Sequence, residues 1–292
     1  MIYTTTLLTA LAASTTAQNC PISFEGRPSA TASLTDFDNA NLTTFNPSFV
    51  LGFQTKWSQV LAFPRQRTGT LFAKASEHKA VELRINDASI FQPNAADATS
   101  RQTGFRRSEF IPVKFPKATD NLDSTSGIKT FHFSIKAVPS RPLNYSHEYQ
   151  LAFLEDSSYS TNQFVLKTGT IIGSTTPAVP TLQVQTNQKN ASTIFSAPFD
   201  QKVWHNFALT QDFVANTLQV YYSTGNSALV AKTGAVANDN SGNGEFHFGL
   251  LKKPTGGDPD VTKKGFQSSG IDERLSFAGV FQEDSTGGCV SL

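Results

Sequence analysis

Charge imbalance is the first thing this chain lacks. Its 292 residues carry 24 basic and 23 acidic side chains, a balance that gives no field to steer nucleic acid or an anionic membrane surface and implies a near-neutral substrate. Long apolar runs are also missing; the single short one, at residues 7–13, is too brief to span a bilayer. Cysteine is scarce, with only Cys20 and Cys289, and no spacing among His, Asp and Cys has the pattern of a zinc or redox site. The chain has no Gly-x-Ser-x-Gly elbow and no alternation of strand and helix to present one, which sets a serine nucleophile aside. Helical 3.6-residue periodicity, internal repeats, low-complexity tails and Ser/Thr-rich linkers to a further module are absent too.

The residues that are present point outside the cell. The apolar run at 7–13 precedes Thr15 and Ala17 at the −3 and −1 positions of a cleavage site, so residues 1–17 are expected to be a signal peptide, although the n-region lacks Lys and Arg. In an oxidising compartment Cys20 and Cys289 are expected to form one disulfide joining the two ends of a single domain over 18–292; two buried free thiols are the alternative. Three glycosylation triplets begin at Asn41, Asn144 and Asn190 and agree with an extracellular route.

Period-two alternation runs through the chain. In Thr130-Phe131-His132-Phe133-Ser134-Ile135-Lys136-Ala137 the apolar residues face one way and the polar ones the other, as in a half-buried antiparallel strand. The pattern returns at residues 217–223, 245–250 and 277–281, with turn-forming clusters at 238–244 and 253–259. Many short antiparallel strands with long loops predict an all-β fold, a two-sheet β-jelly roll with an open groove on its concave sheet.

The candidate chemistry rests on carboxylates. In Gly104-Phe105-Arg106-Arg107-Ser108-Glu109-Phe110 the side chains of Arg107 and Glu109 share one strand face. A second carboxylate, Glu148, follows in His147-Glu148-Tyr149. Two carboxylates across a groove suffice for glycoside hydrolysis, one donating a proton to the departing oxygen and the other acting as nucleophile or activating water. Arg107 favours the ionised form of Glu109, which inclines that residue toward the base. Rival carboxylates are Glu155-Asp156, Asp272-Glu273 and Glu283-Asp284. Glu148 has the opposite parity from Tyr149, Leu151 and Phe153, so it is expected to face outward over an apolar inner row unless a bulge intervenes. Of five histidines, His78, His132, His147, His205 and His247, His247 alternates with Phe246 and Phe248 and so is expected on the open side with Glu245. His205 shares parity with Phe207 and Leu209, the pattern of a core histidine.

Taken in order, these segments carry a family resemblance. Cys20-Pro21-Ile22, the Arg107-to-Glu109 strand, Ser140-Arg141-Pro142-Leu143-Asn144 before His147-Glu148-Tyr149, Gly169-Thr170-Ile171-Ile172-Gly173, Trp204-His205-Asn206-Phe207, Leu250-Leu251-Lys252-Lys253-Pro254-Thr255 and Gly287-Gly288-Cys289 resemble the fungal β-glucanases of glycoside hydrolase family 131. The resemblance implies a jelly-roll catalytic domain acting on β-1,3-, β-1,6- and β-1,4-glucans, with inversion at the anomeric carbon and no cofactor or metal. It implies Glu109 and Glu148 as the catalytic pair, Arg107 beside the first, and a histidine, His247 ahead of His205, in contact with substrate. The expected partner is a β-glucan polysaccharide or oligosaccharide, bound by a secreted monomer. Two alternatives stay open: a jelly-roll polysaccharide lyase, and a glucan-binding lectin using Trp57, Trp204 and Tyr149 as sugar platforms.

Overall fold

The computed structural model describes residues 20–66, 69–113, 124–174 and 179–292; the leader expected over 1–17 lies outside them. Fifteen strands follow one another among the described residues: β1 Ile22–Glu25, β2 Leu61–Ala62, β3 Val81–Asn86, β4 Arg106–Phe110, β5 Ile128–Ala137, β6 Glu148–Asp156, β7 Asn162–Gly169, β8 Thr181–Gln185, β9 Thr193–Pro198, β10 His205–Asp212, β11 Thr217–Thr224, β12 Val230–Ala231, β13 Val236–Ala237, β14 Gly244–Lys252 and β15 Asp272–Asp284. The one α-helix among the described residues is a single turn, Trp57–Val60, and no helix there is long and apolar enough to cross a membrane.

The strands form two antiparallel sheets. One has nine strands, ordered β12-β11-β10-β5-β15-β3-β2 with β1 beside β15 and β13 beside β11; the other has six, ordered β4-β14-β6-β7-β8-β9. Each alternating segment read from the sequence lies in a strand, at β5, β11, β14 and β15. The inner faces meet in one apolar layer that includes Phe131, Phe133, Phe207 and Phe277 from the large sheet and Phe110, Leu154, Phe246 and Phe248 from the small one. Rings cross between the sheets, with Phe131 4.3 Å from Phe246 and Phe133 5.4 Å from Phe248, centroid to centroid. Aromatic pairs at such spacings add stabilisation beyond area burial, about 0.5–1.5 kcal/mol each. This is the two-sheet jelly roll that the alternation predicts.

The disulfide between Cys20 and Cys289 is formed, closing a span of 269 residues with Cα atoms 5.7 Å apart. It ties the segment leading into β1 to the turn after β15, and those two strands are themselves paired. The side chains of Asn41, Asn144 and Asn190 are all at exposed positions.

One strand departs from simple alternation. Along β6, Tyr149, Leu151, Ala152 and Leu154 all face the core, whereas Phe153 packs in a separate cluster with Phe105, Val165 and Leu251 on the other side of the sheet. The cause is a bulge: β6 pairs Gln150 with Lys167 and Ala152 with Leu166, so Leu151 is the extra residue. A bulge of one residue exchanges the faces of everything beyond it. Phe153, expected on the inner row, is therefore turned outward, and Glu155 with it.

Candidate active site

The outer face of the six-stranded sheet carries the candidate chemistry. Its foundation is β4, an edge strand whose backbone amides are covered by loops: the Arg107 amide donates to the Ser89 carbonyl at 2.8 Å, and the Glu109 amide to that of Val50 at 2.9 Å. With the strand fixed on both edges, its two outward side chains lock together. Arg107 Nε donates to Glu109 Oε1 at 2.7 Å and Nη2 to Oε2 at 2.6 Å, the bidentate fork that guanidinium and carboxylate geometry favours. Gln102 Oε1 accepts a third bond from Arg107, at 2.9 Å.

His247, on the neighbouring β14, completes the cluster. Its Nδ1 lies 2.8 Å from Glu109 Oε2 and its Nε2 lies 3.5 Å from Glu155 Oε2. The Phe153 ring stacks on the imidazole with centroids 4.4 Å apart and planes 10° from parallel, which fixes the ring's orientation. One imidazole thus stands between two carboxylates. A cavity of about 590 Å³ opens over this array, with Arg107, Phe153, Glu155 and His247 in its wall. His247 faces that side, as its alternation with Phe246 and Phe248 predicts, although it is only 2% exposed.

The two carboxyls titrate in opposite directions. Burial works to raise Glu109, but the Arg107 charge and the hydrogen bonds from His247 and Arg107 outweigh it and hold the carboxyl below its ordinary range. For Glu155 burial prevails over the pull of His247 and Arg107, and the negative charges of Glu109 and Glu245 add to it, so the carboxyl lies above its ordinary range. Glu245 stands directly across from Glu155 on β14. Two carboxyls pushed in opposite directions have the kind of asymmetry that separate acid and base roles use.

Glu148 stands elsewhere on the same face. Lys253 Nζ at 2.9 Å and Lys167 Nζ at 3.2 Å converge on its Oε1, and the Ile172 amide donates to Oε2 at 2.8 Å. These cations and the amide offset its burial and hold it ionised, with the carboxyl below its ordinary range. It borders a second cavity, of about 610 Å³, and Lys253 lines both cavities. The structure thus joins Arg107, Glu109 and His247, and adds Glu155, which sequence reasoning held only as one of several rivals. Of the remaining rivals, Asp156 ends β6 on this same sheet and is held by Ser158 and Ser160, and the others lie on the other sheet: Asp272 held by Arg84 and Arg141, Glu273 by Lys252 and Tyr149, Glu283 by His132 and Asp284 by Lys129.

Burial removes His205 as a substrate contact, in keeping with its core parity, and removes the sugar platforms of the lectin alternative. His205 lies in the nine-stranded sheet, fully enclosed, with Nδ1 2.7 Å from the Tyr222 hydroxyl and Nε2 2.9 Å from the Asp200 carbonyl; both nitrogens are engaged away from the groove. Trp57, Trp204 and Tyr149, the platforms of the lectin alternative, are buried at 0%, 7% and 0% exposure and present no face to a sugar.

The model of the glycoside hydrolase 131 catalytic N-terminal domain matches residues 22–288. Among solved structures, the chain is similar to the catalytic domain of a GH131 β-glucanase from Podospora anserina, at 21% identity and a TM-score of 0.69, covering 92% of this chain and 97% of that one. It is also similar to the catalytic domain of the glycoside hydrolase family 131 protein from Coprinopsis cinerea, at 21% identity and a TM-score of 0.65, covering 91% and 95%. No curated protein matches the chain.

Proposed function

The chain belongs to glycoside hydrolase family 131, and from that membership we propose that it is a secreted β-glucanase in which Glu155 is the general acid and Glu109 the base. The observation that carries this reading is the array of Glu155, His247 and Glu109, with one carboxyl raised and the other lowered. Glu155 protonates the departing glycosidic oxygen as its bond to the anomeric carbon breaks. Glu109 takes a proton from the water that attacks that carbon, and exchange with solvent restores both groups. Glu109 lies just beneath the groove floor, so the water enters between Arg107 and His247, the two neighbours of its carboxylate that line the cavity. An imidazole standing between the carboxylates keeps them apart, which suits the wide spacing of an inverting mechanism.

Glu148, held between two lysines, is assigned to substrate hydroxyls in the adjoining cavity. The β-1,3-, β-1,6- and β-1,4-linkages expected from the family resemblance are kept as the substrate range. Export by a leader over 1–17 and a single catalytic domain over 18–292 belong to the same reading, supported by the terminal disulfide.

The test is release of reducing ends from laminarin, a β-1,6-glucan and amorphous cellulose by the wild type and by Glu109→Gln, Glu155→Gln and Glu148→Gln. The first two variants are expected to lose roughly 10²–10⁴-fold in kcat, the third less than about tenfold, with the α-anomer appearing first in the product. A Glu155→Gln enzyme that keeps its rate while Glu148→Gln loses it would transfer the acid to Glu148.

A further inference from the structure

The hairpin between β6 and β7 holds a residue that folding alone does not explain. Tyr159 is 68% exposed, and its backbone has φ +57°. The left-handed region is costly for a residue with a Cβ and is ordinarily given to Gly, Asn or Asp. The ring has no aromatic partner and no side-chain hydrogen bond among the described residues. An exposed, unpacked aromatic in an unfavourable conformation persists only where its surroundings fix it.

Those surroundings are a built turn. The Asp156 carboxylate, itself 6% exposed, accepts the amides and the hydroxyls of both Ser158 and Ser160 at 2.9–3.1 Å. The Tyr159 amide donates to the Asp156 carbonyl at 2.9 Å, and the Ser157 amide and hydroxyl tie the turn to the Gly242 carbonyl of a neighbouring loop at 3.2 and 2.6 Å. The turn grows directly out of Glu155, and Tyr159 enters the wall of the same cavity as Glu155, His247 and Phe153.

We propose that Tyr159 is a sugar-stacking platform of the catalytic groove, holding a glucosyl unit next to the one whose bond Glu155 protonates; this rests on the β-glucanase reading. A glucosyl ring presents an apolar C–H face to the negative face of an aromatic ring, and tyrosine adds a polar edge suited to a wet groove. A rigid turn matters because the ring is already placed and little entropy is lost when the sugar arrives. The residue therefore acts on substrate affinity, and the chemistry at the scissile bond is left to Glu109 and Glu155.

The experiment compares wild type, Tyr159→Ala, Tyr159→Asn and Tyr159→Trp on a β-glucan oligosaccharide series. Losing a contact over one ring face corresponds to about a tenfold rise in KM, expected for the Ala and Asn variants with kcat nearly unchanged, while Trp retains the wild-type KM. Because Asn accepts the left-handed backbone, the Asn variant is expected to melt no lower than wild type even as its KM rises, which a structural role for the ring would not give. Wild-type hydrolysis with unchanged KM in the Ala and Asn variants would overturn the platform alone. Absence of hydrolysis by the wild type would overturn the β-glucanase reading beneath it.

Discussion

Gly249 on β14 stands directly opposite Glu109 on β4, and it is the missing side chain at Gly249 that makes room for the carboxylate. A Cβ at that position would sit 2.2 Å from the Ser108 carbonyl oxygen, 2.7 Å from the Glu109 Cα and 3.1 Å from its Cγ. Two of the three obstacles are backbone, which cannot swing aside.

Gly249→Ala is therefore expected to push β4 from β14 and tilt Glu109 out of register with His247. Overpacking of this kind costs about 1–3 kcal/mol, read as a lower denaturation midpoint, and kcat/KM should fall further than the stability loss explains. A variant with wild-type kcat/KM would show that the groove tolerates the displacement.

On the proposed assignment activity against pH should be bell-shaped, because Glu109 acts ionised and Glu155 protonated. The acid limb belongs to Glu109, held below the ordinary 4.5, and the alkaline limb to Glu155, raised above it. Glu245→Gln removes one of the negative charges that help to raise Glu155, so the alkaline limb should move to lower pH while the acid limb stays. A profile of kcat/KM against pH decides it; an unmoved alkaline limb argues against Glu155 as the acid.

Glu155 also affects stability with a sign of its own. Its folded carboxyl is raised, so stability is lost as pH climbs from the unfolded value of 4.5 through the folded one. Glu155→Gln removes that loss: the variant should melt higher than wild type at neutral pH and match it at pH below about 4, where both states are protonated. Thermal melts at the two pH values test the point.

Arg107→Lys keeps the charge and loses the fork. Glu109 then has fewer donors, its carboxyl rises, and the acid limb of activity should shift to higher pH. The stability that the Glu109 pairing contributes is complete above the unfolded value of 4.5 and disappears as pH falls through the lower folded value. Unfolding at neutral pH should accordingly be easier by about 1–3 kcal/mol, whereas at strongly acid pH variant and wild type should converge.

Reduction of Cys20–Cys289 should lower the unfolding free energy by about 2–5 kcal/mol and leave the 25 °C rate unchanged. The bridge lies where β1 pairs with the end of β15 in the nine-stranded sheet, on the opposite layer from the groove. Urea titration with and without reductant, beside an activity assay, separates the two effects.

A local period of two carries most of what is legible along the chain. Arg107 and Glu109 share a face because they are two apart on a strand, and His247 opposes its Phe neighbours for the same reason. The all-β class follows from that repetition, and the cysteine pair was readable from compartment and count. Glu155 shares parity with core residues Tyr149 and Leu151, and only the bulge at Leu151 turns it outward to meet His247. Glu148 kept its outward face, yet its nearest charges are Lys167 and Lys253, delivered by the following strand and by a residue more than a hundred positions away. These features come from long-range pairing: a bulge is settled by the neighbouring strands, and a carboxyl's surroundings by the charges that pairing brings beside it; neither is written in the spacing of one strand.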